Sequence, residues 1–512
     1  MQRGFFFALE IISVTALVLL TRCANYADVF VGHQIYFVDA DCYARMTRAR
    51  ICFEHPGTIV RWHDFENFPV GISPHTTAPL DYLIVAIAKL LSSFASNPLD
   101  LAGAIISPLL SIALGIFLCW WSRRMALRFR FALLLLFAAS PILAHGFALG
   151  RPDHQALLIA LITVAICAEW RAAIQFARSW SILASAAWGF ALWISIYEPL
   201  VLLALLLVLR GRLLFRAERR AGWIVFAAIL LLAALIERRV PALPAPALAS
   251  TLHNWSASIG ELSHVSLGSN LWFQWCGWLL LAAPILFLRR KTDLPIFLPA
   301  LLVATFVLSI WQARWGYFLA VMYALLAPEI LSRFGKRWVA VTVFVISLFP
   351  SAQAWDGSFG PAATLGRSEN LIELAELRRV AVVVDGPFLA PWWLSPALAY
   401  WSRQPAVAGS SHESIAGIAD TAHFYATNEF QKAIEICQRR KVRSVVEYDG
   451  ERLAKNCHDL LTIPIPPDAL CFVLDRSPSH APAFLSLRAQ TGRLKIYRVE
   501  NLEKNRFFDG IH

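Results

Sequence analysis

The chain has 512 residues, is 58% hydrophobic and only 16% charged, and has a mean hydropathy of +0.55. A soluble protein of this size seldom carries so few charges, so the composition points to a membrane protein. The net charge of +11 is not a nucleic-acid signature, because the basic residues sit mostly in short loops between apolar segments.

Eleven apolar segments follow in order: Gly4–Leu20, Leu101–Trp121, Phe131–Leu149, Ala156–Trp170, Trp180–Ile196, Pro199–Leu209, Ala221–Ile236, Leu271–Leu288, Leu294–Trp311, Trp315–Leu331 and Trp338–Phe349. Several fall short of the roughly 20 residues an upright span needs. Leu83–Leu91 reads instead as an interfacial helix. The first segment has a basic flank, Gln2-Arg3, but no small-x-small cleavage site, and Arg22 before Cys23 spoils a lipoprotein signal. It reads as an uncleaved span whose Glu10 must face protein.

With the N-terminus inside, seventeen Arg and Lys between Arg123 and Arg337 fall in inner loops, against Arg151, Arg238, Arg239 and Arg314 in short outer ones. That asymmetry sets the orientation. It predicts a membrane domain over 1–350, with a large outer loop at 21–100 and a second functional outer loop at 240–270. The region 351–512 is then an extracytoplasmic α/β domain, on the outer face of a cell membrane. In that tail Val380–Val384, Val442–Val446 and Leu494–Tyr497 read as strands, and Asn428–Arg440 as a helix. No Gly-rich nucleotide loop is present. None of the nine Cys forms a C-x-x-C pair, and an oxidising exterior permits disulfides whose pairing the sequence does not define.

The chemistry concentrates outside. Asp39 and Asp41 follow the first segment, and Gly150-Arg151-Pro152-Asp153-His154 joins the third and fourth. Carboxylates beside hydrocarbon are costly, and carboxylates with a His nearby suit a hard divalent metal. A metal at a membrane surface suggests chemistry on a phosphate-bearing lipid. Each residue also has a plainer role. Asp153 suits a helix N-terminus, Arg314 suits interfacial snorkelling, and Asp41 and Glu261 suit solvated loops. The His63, Asp64 and His75 cluster reads as loop architecture.

These motifs together resemble the GT-C glycosyltransferases, in particular the catalytic subunit of oligosaccharyltransferase and its single-chain bacterial and archaeal relatives. Asp41-Cys42-Tyr43-Ala44 with Arg48 and Arg50 is similar to the family's first acidic motif, and Gly150–His154 to its second. Ser258-Ile259-Gly260-Glu261 resembles the Ser/Thr-x-x-Glu motif, Ala313–Phe318 an Arg-aromatic motif, and Ala390-Pro391-Trp392-Trp393 the start of Trp-Trp-Asp. The resemblance implies a membrane glycosyltransferase with a polyprenyl-phosphate-linked sugar donor and a protein or glycan acceptor. It implies a divalent metal, Mg or Mn, on Asp41, Asp153, His154 and Glu261, with Asp41, Asp153 and Glu261 catalytic. Arg314 would bind the donor phosphate, and Trp392 and Trp393 the acceptor. Two positions depart from the pattern. Gln155 stands where the second motif has an acid or His, and Leu394 replaces the Asp that helps bind the Ser or Thr of a peptide sequon. A single-sugar donor carried on a polyprenyl monophosphate, for a lipid or hydroxyl acceptor, is the alternative. A transporter would place its ionisable groups near mid-membrane.

Overall fold

The computed structural model describes residues 2–238, 245–288 and 294–500. Arg239, Arg289, Arg290 and Lys291 of the loop charges, and the first residues of the 240–270 loop, lie outside the described residues. The chain divides into two compact units. One comprises Met1–Ile35, Thr76–Arg238 and Gly260–Arg367; the other comprises Tyr36–His75, Arg239–Ile259 and Ser368–His512.

The first unit is helical, apart from a two-residue antiparallel pair, β1 (Phe30–Val31) and β2 (Gln34–Ile35). Among the described residues six helices are long and apolar enough to cross a membrane: Gly4–Arg22, Pro98–Arg124, His154–Ile174, Ala217–Glu237, Ala313–Ser332 and Arg337–Phe359. Arg130–Ala139, Trp278–Phe287 and Phe297–Trp311 are shorter apolar helices. The 27 residues of Pro98–Arg124 reach about 40 Å.

Two expected segments are broken. Pro141 cannot continue the helix Arg130–Ala139, so a second helix, Pro141–Gly146, follows it. The 271–288 stretch is a short α-helix, Leu271–Cys276, and then a 3₁₀ helix, Trp278–Phe287. Between them Gly277 takes φ +77°, and a Cβ there would lie 2.5 Å from the Ser347 carbonyl oxygen. The last apolar segment also runs further than Phe349, to Phe359.

Several polar side chains inside the helical layer are paired. Arg22, fully buried, donates to the carbonyls of Phe137 (2.6 Å) and Ala138 (2.7 Å), the open end of Arg130–Ala139. Glu10 pairs with Arg130. Glu237 accepts from the Ala78 N–H at 3.0 Å, at the start of the helix Ala78–Leu91, and from Trp193 Nε1 at 2.9 Å.

The second unit carries the four-stranded sheet: β3 (Phe388–Leu389), β4 (Ser444–Tyr448), β5 (Leu485–Thr491) and β6 (Leu494–Val499), in the order β3-β4-β6-β5. β3 runs parallel to β4, and the other pairings are antiparallel. β4 is buried along its whole length, as its apolar run suggests. The helices Ile415–Ala426, Gly450–Leu461 and Leu470–Arg476 share its core through Tyr425, Leu453 and Leu474. The helix expected at 428–440 is Phe430–Arg439.

Val380–Val384 is not a strand. The helix Pro361–Val380 buries Leu374, Leu377 and Val380 at helical spacing and passes into a 3₁₀ turn, Ala381–Val383. Val382 is left 85% exposed. A periodic helical face outweighs the β-branched run. None of the nine Cys forms a disulfide.

Candidate functional site

In the helical unit, four stretches of chain meet at one polar cluster. Gly150, at φ +72°, turns the chain into the helix His154–Ile174, and its N–H donates to the Ala104 carbonyl at 2.9 Å. This turn presents Arg151, Asp153 and His154. The helix Tyr197–Leu214 begins with Tyr197 and Glu198. Glu261 lies on the 3₁₀ turn Gly260–Leu262, and Arg314 on the 3₁₀ turn Ala313–Trp315. The Ala313 N–H donates to the Ser263 carbonyl at 2.9 Å and ties those two turns together. Tyr317 and His145 come from the flanking helices Gly316–Ser332 and Pro141–Gly146.

Charges alternate across the cluster. Arg314 Nη2 lies 2.6 Å from Glu198 Oε1, and Ser195 Oγ donates to Glu198 Oε2 at 3.0 Å. The Glu198 side chain is fully buried, and the Arg314 cation and Ser195 hydroxyl that face it offset the cost of burying a charge. Arg151 Nη2 bonds Glu261 and stands 4.0 Å from Asp153 Oδ2. Tyr317 donates to the same Glu261 oxygen at 3.2 Å, and its hydroxyl meets His145 Nδ1 at 2.8 Å. His154 Nδ1 lies 2.6 Å from Asp153 Oδ1. Glu261 and Asp153 add to the field at Arg314. The buried Nε–H of Arg314 makes no hydrogen bond to protein. A buried donor left open in this way is a place for an acceptor oxygen.

Of the residues singled out in sequence, Asp153, His154, Glu261 and Arg314 come together here. Asp153 occupies the N-cap position of His154–Ile174, but its side chain makes no capping bond; it turns to His154. Asp41 lies in the other unit, exposed in the first turn of the helix Ala40–Glu54, where Asp39 caps the Cys42 N–H at 3.0 Å. Trp392 and Trp393 belong to that unit as well. Trp392 packs edge-on against Trp255 with centroids 6.0 Å apart, and Arg452 lies 4.9 Å from the Trp393 ring centroid. Their indole N–H groups are buried without a hydrogen-bond partner. Leu394 is 2% exposed. The hydroxyl of neighbouring Ser395 donates to the carbonyls of Ala390 (2.9 Å) and Pro391 (3.0 Å).

Asp153, His154 and Glu261 do not offer three ligand atoms within 4.8 Å of one another, and the guanidinium of Arg151 stands between the two acids. Glu198, Tyr317 and His145 were not singled out from sequence as site residues. The signal for Glu198 is an acid at the start of an apolar helix, just before Pro199, where a buried carboxylate demands a cation.

The fold that presents this cluster is that of the GT-C glycosyltransferases. The archaeal oligosaccharyltransferase AglB of Archaeoglobus fulgidus, solved with an inhibitory peptide and a dolichol-phosphate, aligns at TM-score 0.70 and 11% identity over 100% of this chain and 81% of its own. An Archaeoglobus fulgidus oligosaccharyltransferase tethered to an acceptor peptide with an NVT sequon aligns at 0.64 and 13%, over 98% of this chain and 74% of its own. ArnT from Cupriavidus metallidurans, bound to undecaprenyl phosphate, aligns at 0.54 and 16%, over 98% of this chain and 99% of its own. No protein-family model matches the sequence, and no curated protein does.

Proposed function

We propose that this protein is a multi-pass membrane glycosyltransferase that moves a sugar or oligosaccharide from a polyprenyl-phosphate-linked donor to an extracytoplasmic acceptor. The observation that carries the reading is Arg314: fixed by buried Glu198, with an open buried donor, in a fold shared with enzymes solved around lipid phosphates. In the transfer, the bond from the sugar C1 to the phosphate oxygen breaks and its electron pair stays on that oxygen. The acceptor atom bonds to C1 and gives up its proton. Charge grows on the phosphate, and preorganised guanidinium groups are placed to stabilise it. Arg314 binds the phosphate. Glu261, whose side chain is 31% exposed and is fixed by Arg151 and Tyr317, meets the acceptor and receives its proton. Asp153 orients His154 and lies beside Arg151.

The metal-dependent form of this reading assigns Mg²⁺ or Mn²⁺ to Asp41, Asp153, His154 and Glu261. It requires Arg151 to leave its place between the acids, and no step above runs through a metal. Leu394 and the committed hydroxyl of Ser395 favour an acceptor other than a strict Asn-x-Ser/Thr sequon. A hydroxyl on a lipid or glycan, glycosylated from a polyprenyl-monophosphate sugar, fits that observation.

A donor-transfer assay on membranes tests the reading. Arg314→Lys should lower kcat/KM for the lipid-linked donor about 10–100-fold, the value of a lost charged hydrogen-bond fork. Run in parallel, an Asn-x-Thr peptide and a lipid or glycan acceptor separate the acceptor classes, and chelator addition tests the metal. Unchanged kinetics in Arg314→Lys would return that residue to interfacial snorkelling. Efficient peptide modification lost on Thr→Ala would overturn the acceptor assignment.

A further inference from the structure

The second unit holds a cluster that shares no residue with the site above. His75 lies in the loop before Ala78, and His412 and Glu413 lie on the 3₁₀ turn His412–Ser414. His75 Nδ1 is 2.9 Å from Glu413 Oε1, and His412 Nδ1 is 3.5 Å from Glu413 Oε2. The imidazole centroids are 4.9 Å apart, and one ligand atom from each residue falls within 4.8 Å of the other two. The Glu413 side chain is 4% exposed, whereas His75 and His412 are 40% and 38% exposed.

We propose that His75, His412 and Glu413 bind a zinc ion. Zinc takes His nitrogen and carboxylate oxygen at roughly 2.0–2.2 Å, so tetrahedral neighbours lie about 3.3–3.5 Å apart. The two measured separations, 2.9 and 3.5 Å, bracket that spacing, and a small rotation of the two solvent-facing rings brings the third into line. Two imidazoles exclude magnesium and calcium as the natural occupants, since those ions take oxygen ligands. Three protein ligands with two exposed rings leave a fourth position for water. The ion would join the Tyr36–His75 segment to the 368–500 region of the same unit across a sequence separation of 338. It acts as a folding clamp, because its binding free energy adds to the stability of that arrangement.

Full-length protein purified in detergent, stripped with chelator and titrated with zinc, tests the site by bound metal and by Tm. Cobalt absorption reports tetrahedral nitrogen and oxygen ligation. Wild type should bind one zinc more than His412→Ala, Glu413→Gln or His75→Ala, and zinc should raise its Tm but not theirs. Each substitution should weaken zinc at least as much as the roughly 10–100-fold that loss of an outer-shell partner costs. Asp153→Asn should keep this zinc. His75→Ala removes a 40% exposed ring, so it serves as the folded control, and its zinc-free Tm should match that of the zinc-free wild type. Equal zinc content in wild type and His75→Ala, or zinc lost with Asp153→Asn instead, overturns the proposal. Neither result bears on Arg314 and donor transfer.

Discussion

Buried acids set the terms at the scale of single residues. Glu66 is 1% exposed and accepts the Ser410 N–H at 3.3 Å. Burial pushes its carboxyl up to about 7, with the Glu413 charge adding to that, while Arg48 and the Ser410 N–H pull it back. Folded protein therefore keeps a proton that the unfolded chain releases near the ordinary value of 4.5. This group's stabilisation is complete below about 4.5 and is lost as pH rises through about 7, by roughly 3 kcal/mol at most. Glu66→Gln cannot ionise, so its thermal stability in chelator should vary less between pH 5 and 8 than wild type, and exceed it at pH 8. Parallel pH profiles for the two proteins would sink this account. In sequence Glu66 is only one residue of the large outer loop at 21–100, because its burial involves Gly409, 343 positions away, where a Cβ would sit 2.7 Å from the Glu66 carboxylate. Asp153 and Arg314 were legible for the opposite reason, since each stands next to an apolar run where a charge is conspicuous.

Among the elements, three are pinned by one ion-pair triad. Glu169 on His154–Ile174 accepts from Arg210 at 2.9 Å and from Arg219 at 2.5 Å, and all three side chains are buried. Arg210 lies on Tyr197–Leu214 and Arg219 on the 3₁₀ turn Ala217–Arg219. In sequence both arginines count only as orientation signals, because hydropathy patterns carry no information about which helices touch. Removing the shared acid leaves two buried guanidinium groups uncompensated. Glu169→Gln should cost about 3–5 kcal/mol of stability, seen as a large drop in Tm with no change in donor KM for whatever protein remains folded. A Tm within a degree or two of wild type would mean that water solvates these arginines. The strand expected at Val380–Val384 failed at this same scale. Five β-branched or small apolar residues look like a buried strand, but the helical spacing of Leu374, Leu377 and Val380 had already fixed the face.

For the whole molecule, composition and segment order made a helical membrane fold legible, and the Pro141 and Gly277 breaks show why segment counting has soft edges. A hydropathy window passes over a kink that backbone geometry does not. Orientation follows from loop charge, which predicts that the chain ends on the outer side of the membrane. Reporter fusions after Arg130 and after Arg367 should therefore report opposite sides. The second point lies beyond Phe359, where the last long apolar helix stops. Both reporters on one side would remove the extracytoplasmic setting from the proposed chemistry.

Leu394 gives these findings an evolutionary dimension. At 2% exposure, with Ser395 locked onto the carbonyls of Ala390 and Pro391, the 390–395 turn has closed around an apolar side chain. An Asp at 394 would enter as a buried charge, at a cost of several kcal/mol unless the turn rearranged to pair it. If the proposed acceptor reading holds, sequon specificity is therefore more than one substitution away. A lineage or a designer moving in that direction would first have to open the turn, and acceptor choice would then behave as a ratchet rather than a dial.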